Sequence, residues 1–409
     1  MNLKVNKNRL WQSLMQMAEI GPGKHGGSCR LALTDVDIES RNLFKRWASE
    51  AGCCFRLDSM GNLFARREGE NPDVAPIIMG SHLDTQPCGG RFDGVLGVLG
   101  ALEILRVLQE NNIKTEHPLE IAVWMNEEGA RFSPAMMGSG VFSGVFKESE
   151  IYSHKDINGI SVEQALHRSN QLGNEPCKSF PIKAYYELHI EQGPVLELNN
   201  KTIGVVTGAQ GISWSHVTLN GQSAHAGTTP MNYRKDPVIG MARIVKGLQK
   251  IIKEQEGALY TIGRIESQPA SINSVASKVF FTLDLRHGDD ATLNKLQQEF
   301  KNLVSETCAA EGLTNTIKDI WQAPAISFDK NCISKVKAAT EHLGYSYHKI
   351  ISGAGHDACQ IASVAPVSMI FIPCEGGLSH NEAESISPED AAAGADVLLN
   401  AVLESAVIN

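Results

Sequence analysis

Six residues near the ends of four apolar runs are of types that hold divalent cations and move protons: His82, Asp93, Glu127, Glu128, His189 and His380. His82 follows "APIIMGS" (75–81), and Glu127 and Glu128 follow "LEIAVWMN" (119–126). His189 falls at the end of "AYYELHI" (184–190), and His380 in the loop past "SMIFIPC" (368–374). Asp93 comes from the glycine-flanked turn that opens a helical pattern. Taken singly, each is an ordinary strand-end or loop residue. Together they fall on one edge of an inferred sheet, and in open α/β sheets ligands bind outside the carboxyl ends of the strands. Three imidazoles with an aspartate and a glutamate suit Zn²⁺ or a similar borderline ion better than Mg²⁺ or Ca²⁺. Five such donors exceed what one open catalytic ion uses, whereas two ions a few ångströms apart, bridged by a carboxylate, would occupy them all. Asp93, short and set among glycines, is the natural bridge, with Gly89, Gly90 and Gly94 giving it room. Asp84, two residues after His82, is expected to fix the tautomer of that imidazole.

Positioning such a set takes strands that end together. The four runs are rich in β-branched residues and read as buried strands. Helical patterns accompany them at "ESRNLFKRWASEAG" (39–52), "GVLGVLGALEILRVLQE" (94–110) and "SPEDAAAGADVLLNAVLESAV", where Ser387 reads as the N-cap and Pro388 as the first helical residue. Glycines 94, 97 and 100 make a small-residue face suited to close helix–sheet packing. The alternation predicts an α/β sheet with helices on both faces. The middle differs: strands over 212–221, 259–267, 277–287 and 315–323 with helices over 236–257 and 289–312 give the order β-α-β-β-α-β of a ferredoxin-like unit. Residues 212–324 are therefore expected to form a smaller domain inserted into a larger one made of residues 1–211 and 325–409.

A formal net charge of −9 and the lack of a basic cluster argue against a nucleic-acid partner. No apolar run approaches the roughly 20 residues needed to cross a bilayer, and the N-terminal stretch reads as an amphipathic helix rather than a secretion signal. Nine scattered cysteines without a C-x-x-C pair suggest reduced thiols and a cytoplasmic location. The adjacent pair Cys53 and Cys54 reads as core packing. "GSGVFSG" (138–144) lacks the strand-turn-helix setting of a dinucleotide loop and reads as a turn.

The motifs "GSHLDT", "GGRFDGVLGVLGALE", "NEEGARF", "ELHIEQGPVLE", "GQSAHAGTTPM", "SGAGHDA" and "LSHNEAE" resemble, in order and over roughly residues 10 to 400, the amidase/carbamoylase branch of metallopeptidase family M20. That branch includes N-carbamoyl-L-amino acid hydrolases, β-ureidopropionases and allantoate amidohydrolases. The resemblance implies a phosphorylase/hydrolase-like mixed-sheet catalytic domain with a dinuclear site, and a lid domain that carries a homodimer interface. It implies that His82 and His189 hold one ion, Glu128 and His380 the other, and that Asp93 bridges them. Glu127 matches the general base. His225 matches a donor to the oxyanion, and Gln192, Asn273, Arg286 and Gly355 match residues that meet a small carboxylate substrate. The ions would be Zn²⁺, with Mn²⁺, Co²⁺ or Ni²⁺ also tolerated by such donors. The expected reaction is hydrolysis of the ureido C–N bond of an N-carbamoyl-L-amino acid or N-carbamoyl-β-alanine, and "GAQGISWSHV" favours these over the alternative, allantoate. A dinuclear aminopeptidase or carboxypeptidase ranks third, because His189 stands where such peptidases more often carry an acid.

Overall fold

A computed structural model describes residues 3–406. The chain divides into two compact units, Met1–Gly208 with Ser327–Asn409, and Ala209–Ile326. The first opens with helices α1 (Lys7–Ala18) and α2 (Asp35–Glu50), strands β1 (Cys54–Leu57), β2 (Leu63–Arg67) and β3 (Ile77–His82), and helix α3 (Val95–Glu110). Strands β4 (Leu119–Trp124), β5 (Ala184–Ile190) and β6 (Ile203–Ala209) follow. The second unit comprises β7 (Gly211–Asn220), β8 (Ala224–His225), α4 (Pro237–Lys253), β9 (Leu259–Thr261), β10 (Ile265–Gln268), β11 (Ser274–Val275), β12 (Lys278–His287), α5 (Asp290–Glu311) and β13 (Thr314–Ala323). The chain then returns through β14 (Ile326–Ser327), α6 (Lys330–His342), β15 (Tyr347–Ser352), β16 (Val367–Ile372) and α7 (Pro388–Ala406).

In the first unit nine strands form one mixed sheet in the order β1-β2-β4-β3-β5-β16-β6-β14, with β15 paired to β6. The central neighbours β4, β3, β5 and β16 are mutually parallel, so their carboxyl ends share one edge. Strands β2 and β6 flank them antiparallel. Strands β3, β4, β5 and β16 are buried along their whole length, as expected for apolar runs covered on both faces. On one face Met79, Ile121 and Leu188 pack with Leu14 of α1, Leu99 and Leu102 of α3, Val336 of α6 and Leu398 of α7. Helix α3 lies so close to the sheet that a Cβ on Gly97 would come 2.5 Å from the Leu188 carbonyl oxygen, and one on Gly100 2.9 Å from Leu188 Cδ2. The small-residue face of α3 thus serves packing. The short helices Met137–Phe142 and Asp357–Ile361 contribute to the other face, where Phe142 meets Trp124 and Phe64 edge-on or tilted. Ser387 caps α7, its Oγ accepting the Asp390 N–H at 3.0 Å.

In the second unit the sheet order is β10-β12-β7-β13, antiparallel throughout, with β9 also on β12. One face carries Val217, Leu219, Phe281 and Leu283 into a core with Ile244 and Leu248 of α4 and Leu296 and Phe300 of α5. Both helices start at aspartate caps, Asp236 with Pro237 at the first position, and Asp289. The run 259–267, expected as one strand, is two short strands either side of Gly263. All nine cysteines are free; Cys53 is buried as expected, whereas Cys54, pointing the other way at the start of β1, is exposed. Among the described residues no helix is long and apolar enough to cross a membrane.

Candidate metal centre

The shared edge brings six side chains together. His82 ends β3, and His189 is the penultimate residue of β5. Asp93 precedes α3 by two residues, Glu127 and Glu128 follow β4, and His380 follows β16. Asp93 Oδ1 lies 3.1 Å from His189 Nε2 and 3.6 Å from His82 Nε2. Its other oxygen, Oδ2, lies 3.7 Å from His380 Nε2, which in turn is 3.3 Å from Glu128 Oε2. One carboxylate therefore faces two donor groups, His82 with His189, and Glu128 with His380, and each group together with Asp93 is compact enough to hold a cation. Glu127 Oε2 sits 3.5 Å from His82 Nε2, at the rim of the first group.

The imidazoles are pre-set for ligation. His82 Nδ1 lies 2.9 Å from the main-chain carbonyl of Asp84, and His189 Nδ1 2.9 Å from that of Ile190. A carbonyl can only accept, so each Nδ1 carries a proton, and in the neutral ring the lone pair falls on Nε2. The Gly94 N–H donates to His189 Nε2 at 3.2 Å, consistent with that lone pair. The role expected for the Asp84 carboxylate is corrected here. Its carbonyl holds His82, while the carboxylate accepts the main-chain N–H groups of Glu127 and Glu128, both at 3.3 Å. Asp84 thereby joins the β3 and β4 ends. The glycines are corrected too: they make room for neighbours rather than for Asp93. A Cβ on Gly94, at φ +69°, would lie 2.3 Å from His82 Cε1, and one on Gly90 2.0 Å from Glu384 Cδ.

The electrostatics ask for cations. Burial pushes the Glu127 carboxyl well above its usual range, and burial with the neighbouring Asp93 charge raises Glu128 to about 8. Burial likewise raises Asp84. Burial also works against the Asp93 anion, but hydrogen bonds to His189 and His82 outweigh it and hold that carboxyl well below its usual range. Burial disfavours the charged forms of His82 and His189, yet the surrounding carboxylates hold both imidazoles above their ordinary value. Acids concentrated in a dry cleft and lacking a matching cation are costly. Lone pairs aimed at a shared carboxylate give the donor set that borderline divalent ions take, so the residues fit two such ions.

Several further residues support the site. Gln86 donates through its main chain (3.1 Å) and side chain (2.8 Å) to Glu128. Ser379, beside His380, donates to Asp93 Oδ2 at 2.9 Å. Buried Glu384 accepts the N–H groups of Phe92 and Asp93. Behind His189, the buried Glu187 takes hydrogen bonds from Ser81, Tyr185 and the Ala358 N–H. The His356 ring stands edge-on to His189 at 4.5 Å, and burial keeps it neutral. Glu187 was detectable as a lone acid inside a buried strand, and His356 and Glu384 stand in "SGAGHDA" and "LSHNEAE", segments read for other residues.

Of the residues expected to meet substrate, Gln192 lies at the centre, at φ +57°, its amide donating to Asp93 Oδ2 at 2.8 Å and to Ser379 at 3.0 Å. Gly355 is exposed in the loop after β15, where an added Cβ would come 3.0 Å from Met136 Cε. His225, Asn273 and Arg286 belong to the second unit. There β8 and β11 pair, and the Asn273 carbonyl accepts the Ala226 N–H, which sets His225 and Asn273 side by side. Arg286 lies on β12 and donates to Asp284, its Nη2 2.9 Å from Oδ2.

The model of peptidase family M20/M25/M40 matches residues 78–404. The chain belongs to this family. Within it, an N-carbamoyl-L-amino-acid amidohydrolase of Rhizobium meliloti is 49% identical over 408 residues, covering 100% of this chain and 98% of that protein. An allantoate amidohydrolase of Bacillus subtilis is 34% identical over 385 residues, covering 93% of each. The crystal structure of an amidase of the hydantoinase/carbamoylase family from Burkholderia multivorans, 48% identical, superposes with a TM-score of 0.96 over 99% of both chains. These relatives put this M20 chain in the amidase/carbamoylase branch of the family.

Proposed function

We propose that this M20 chain hydrolyses the ureido C–N bond of N-carbamoyl-L-amino acids, or of N-carbamoyl-β-alanine, releasing the amino acid, carbon dioxide and ammonia. Hydrolysis of a non-peptide C–N bond is the activity class supported by its amidohydrolase relatives. The observation that carries the reading is the split of Asp93 between two donor groups, with Glu127 alongside, in a chain 49% identical to a carbamoylase.

In this reading His82 and His189 would hold one divalent ion and Glu128 and His380 a second, with Asp93 the carboxylate common to both groups. Zn²⁺ suits the donors, with Mn²⁺, Co²⁺ and Ni²⁺ as substitutes. The ions would supply Lewis acidity toward the ureido carbonyl and lower the pKa of the attacking water. Glu127 accepts the proton of that water and passes it to the leaving nitrogen, a task for which burial, by raising its pKa, makes the carboxylate a stronger base. His225 donates to the oxyanion, Arg286 and Asn273 take the substrate carboxylate, and Gln192 and Gly355 line the site. The unit Ala209–Ile326 acts as the lid and carries a homodimer interface. The second reading, allantoate hydrolysis, is favoured by the Bacillus subtilis relative, since allantoate also sets a ureido group near a carboxylate.

The test is ammonia release by protein reconstituted with Zn²⁺, Mn²⁺ or Co²⁺. The panel holds N-carbamoyl-L-amino acids and their D forms, N-carbamoyl-β-alanine, allantoate and dipeptides. Turnover of the carbamoyl compounds is expected; release confined to allantoate overturns the first reading in favour of the second.

A further inference from the structure

Glu384 lies four residues after His380 and has no part in the chemistry above. Its buried carboxylate accepts, through Oε1, the N–H groups of Phe92 at 2.9 Å and Asp93 at 3.1 Å, while Oε2 has no hydrogen-bond partner. The carboxyl fills the space that a side chain at position 90 would need. Burying an acid to serve two amides is costly, and those amides belong to the turn that carries Asp93. Two residues earlier, Glu382 does the same for another segment, accepting the N–H groups of His25 and Gly27. That segment is in turn fastened to the same turn, with Ser28 and Gly89 exchanging main-chain hydrogen bonds of 2.9 and 3.1 Å. His380 itself is half exposed and sits at φ +52°, a backbone that a non-glycine residue keeps only where its surroundings impose it. The segment from His380 to Glu384 is thus tied to the Asp93 turn from both sides.

We infer that Glu384 is a positioning residue. By holding the main chain at Phe92 and Asp93, it sets the spacing between the Asp93 carboxylate and His380, and so completes the second ion site. The inference rests on the two-ion reading, and the two fail differently.

Metal-free protein is titrated with Zn²⁺ by calorimetry, ion content is measured after gel filtration, and folding is followed by circular dichroism and thermal melting. Wild type is expected to take two ions; one or none defeats the two-ion reading itself. Glu384→Ala removes the acceptor, and Gly90→Ala displaces the carboxylate without removing it. Both are expected to keep the first ion and to bind the second about tenfold or more weakly, the loss due to a charge-assisted hydrogen-bond pair. Glu384→Gln keeps an oxygen for both amides and is expected to stay within about threefold of wild type. Second-site affinity equal to wild type in folded Glu384→Ala or Gly90→Ala overturns the inference. Equal weakening of both ions, or a lowered melting temperature with unchanged ion binding, does so too. Should Glu384→Ala fail to fold, Gly90→Ala decides, and failure of both to fold assigns Glu384 to general scaffolding and overturns the inference.

Discussion

Gly94 makes the place in which the His82 ring lies. A Cβ at this position would fall 2.3 to 2.5 Å from three ring atoms, and the residue also has a φ of +69° that L side chains resist. Gly94→Ala must therefore turn the imidazole out of its bond to the Asp84 carbonyl. We expect weakened binding of the ion that His82 and His189 would hold, with activity down about 10 to 100-fold, as for loss of a ligand's supporting partner. Elemental analysis beside circular dichroism checks it; a folded variant with full ion content would contradict the steric argument.

Glu127 stands 3.5 Å from His82, while Glu128 faces His380. Glu127→Gln keeps the shape and removes the basic oxygen. Turnover is expected to fall by about 10² to 10⁴-fold, the usual contribution of a positioned base, while the ion content stays that of wild type. Loss of ions in this variant would make Glu127 a ligand rather than the base.

The clustered acids predict an unusual pH dependence for the metal-free protein. Glu128, Glu127, His82 and His189 all have folded-state pKa values above their ordinary ones, Glu128 at about 8. Above pH 6.5 the unfolded chain has released protons that the folded one retains, so stability falls as pH rises. His356, held neutral in the fold, has the opposite sign, but its contribution is complete by about pH 6.5, the ordinary imidazole value. Between pH 6.5 and 8 Glu128 alone should cost about 1–2 kcal/mol. Thermal melts of the metal-free protein should drop across that window, and saturating Zn²⁺ should flatten or reverse the trend because ligation needs the deprotonated forms. A melt that rises with pH without metal would refute the arrangement.

The four parallel strands were legible because each is a mainly apolar run, the only acids among them being Glu120 in β4 and Glu187 in β5, and the candidate donors stood out because they close or follow such runs. Strands β1 and β2 were not, since "CFRL" and "LFARR" are short and interrupted by arginine, and they pair as a hairpin at the sheet's edge. Which group of Asp84 orients His82 is something no residue list encodes: whether a carbonyl or a carboxylate reaches the ring depends on where the chain turns. Glu384 was hidden for a similar reason. An acid that serves main-chain amides reads in one sequence like any acid in a polar loop. Gln192 was singled out for substrate, yet its amide N–H is directed at Asp93.

Arg286 is held in plane by Asp284, with Nε 3.2 Å and Nη2 2.9 Å from Oδ2. That leaves a guanidinium whose orientation is already fixed, as a receptor for a substrate carboxylate requires. Lysine would preserve the charge but not the planar fork. Arg286→Lys is therefore expected to raise KM for a carbamoyl amino acid by about 10 to 100-fold, the worth of a charge-assisted hydrogen bond, with a much smaller change in kcat. The sharper reading comes from a substrate whose carboxylate is a methyl ester. Wild type should turn it over poorly, and Arg286→Lys should narrow the gap between acid and ester by lowering the rate on the acid alone. Equal losses on acid and ester would show that Arg286 supports the β12 strand and does not receive the carboxylate.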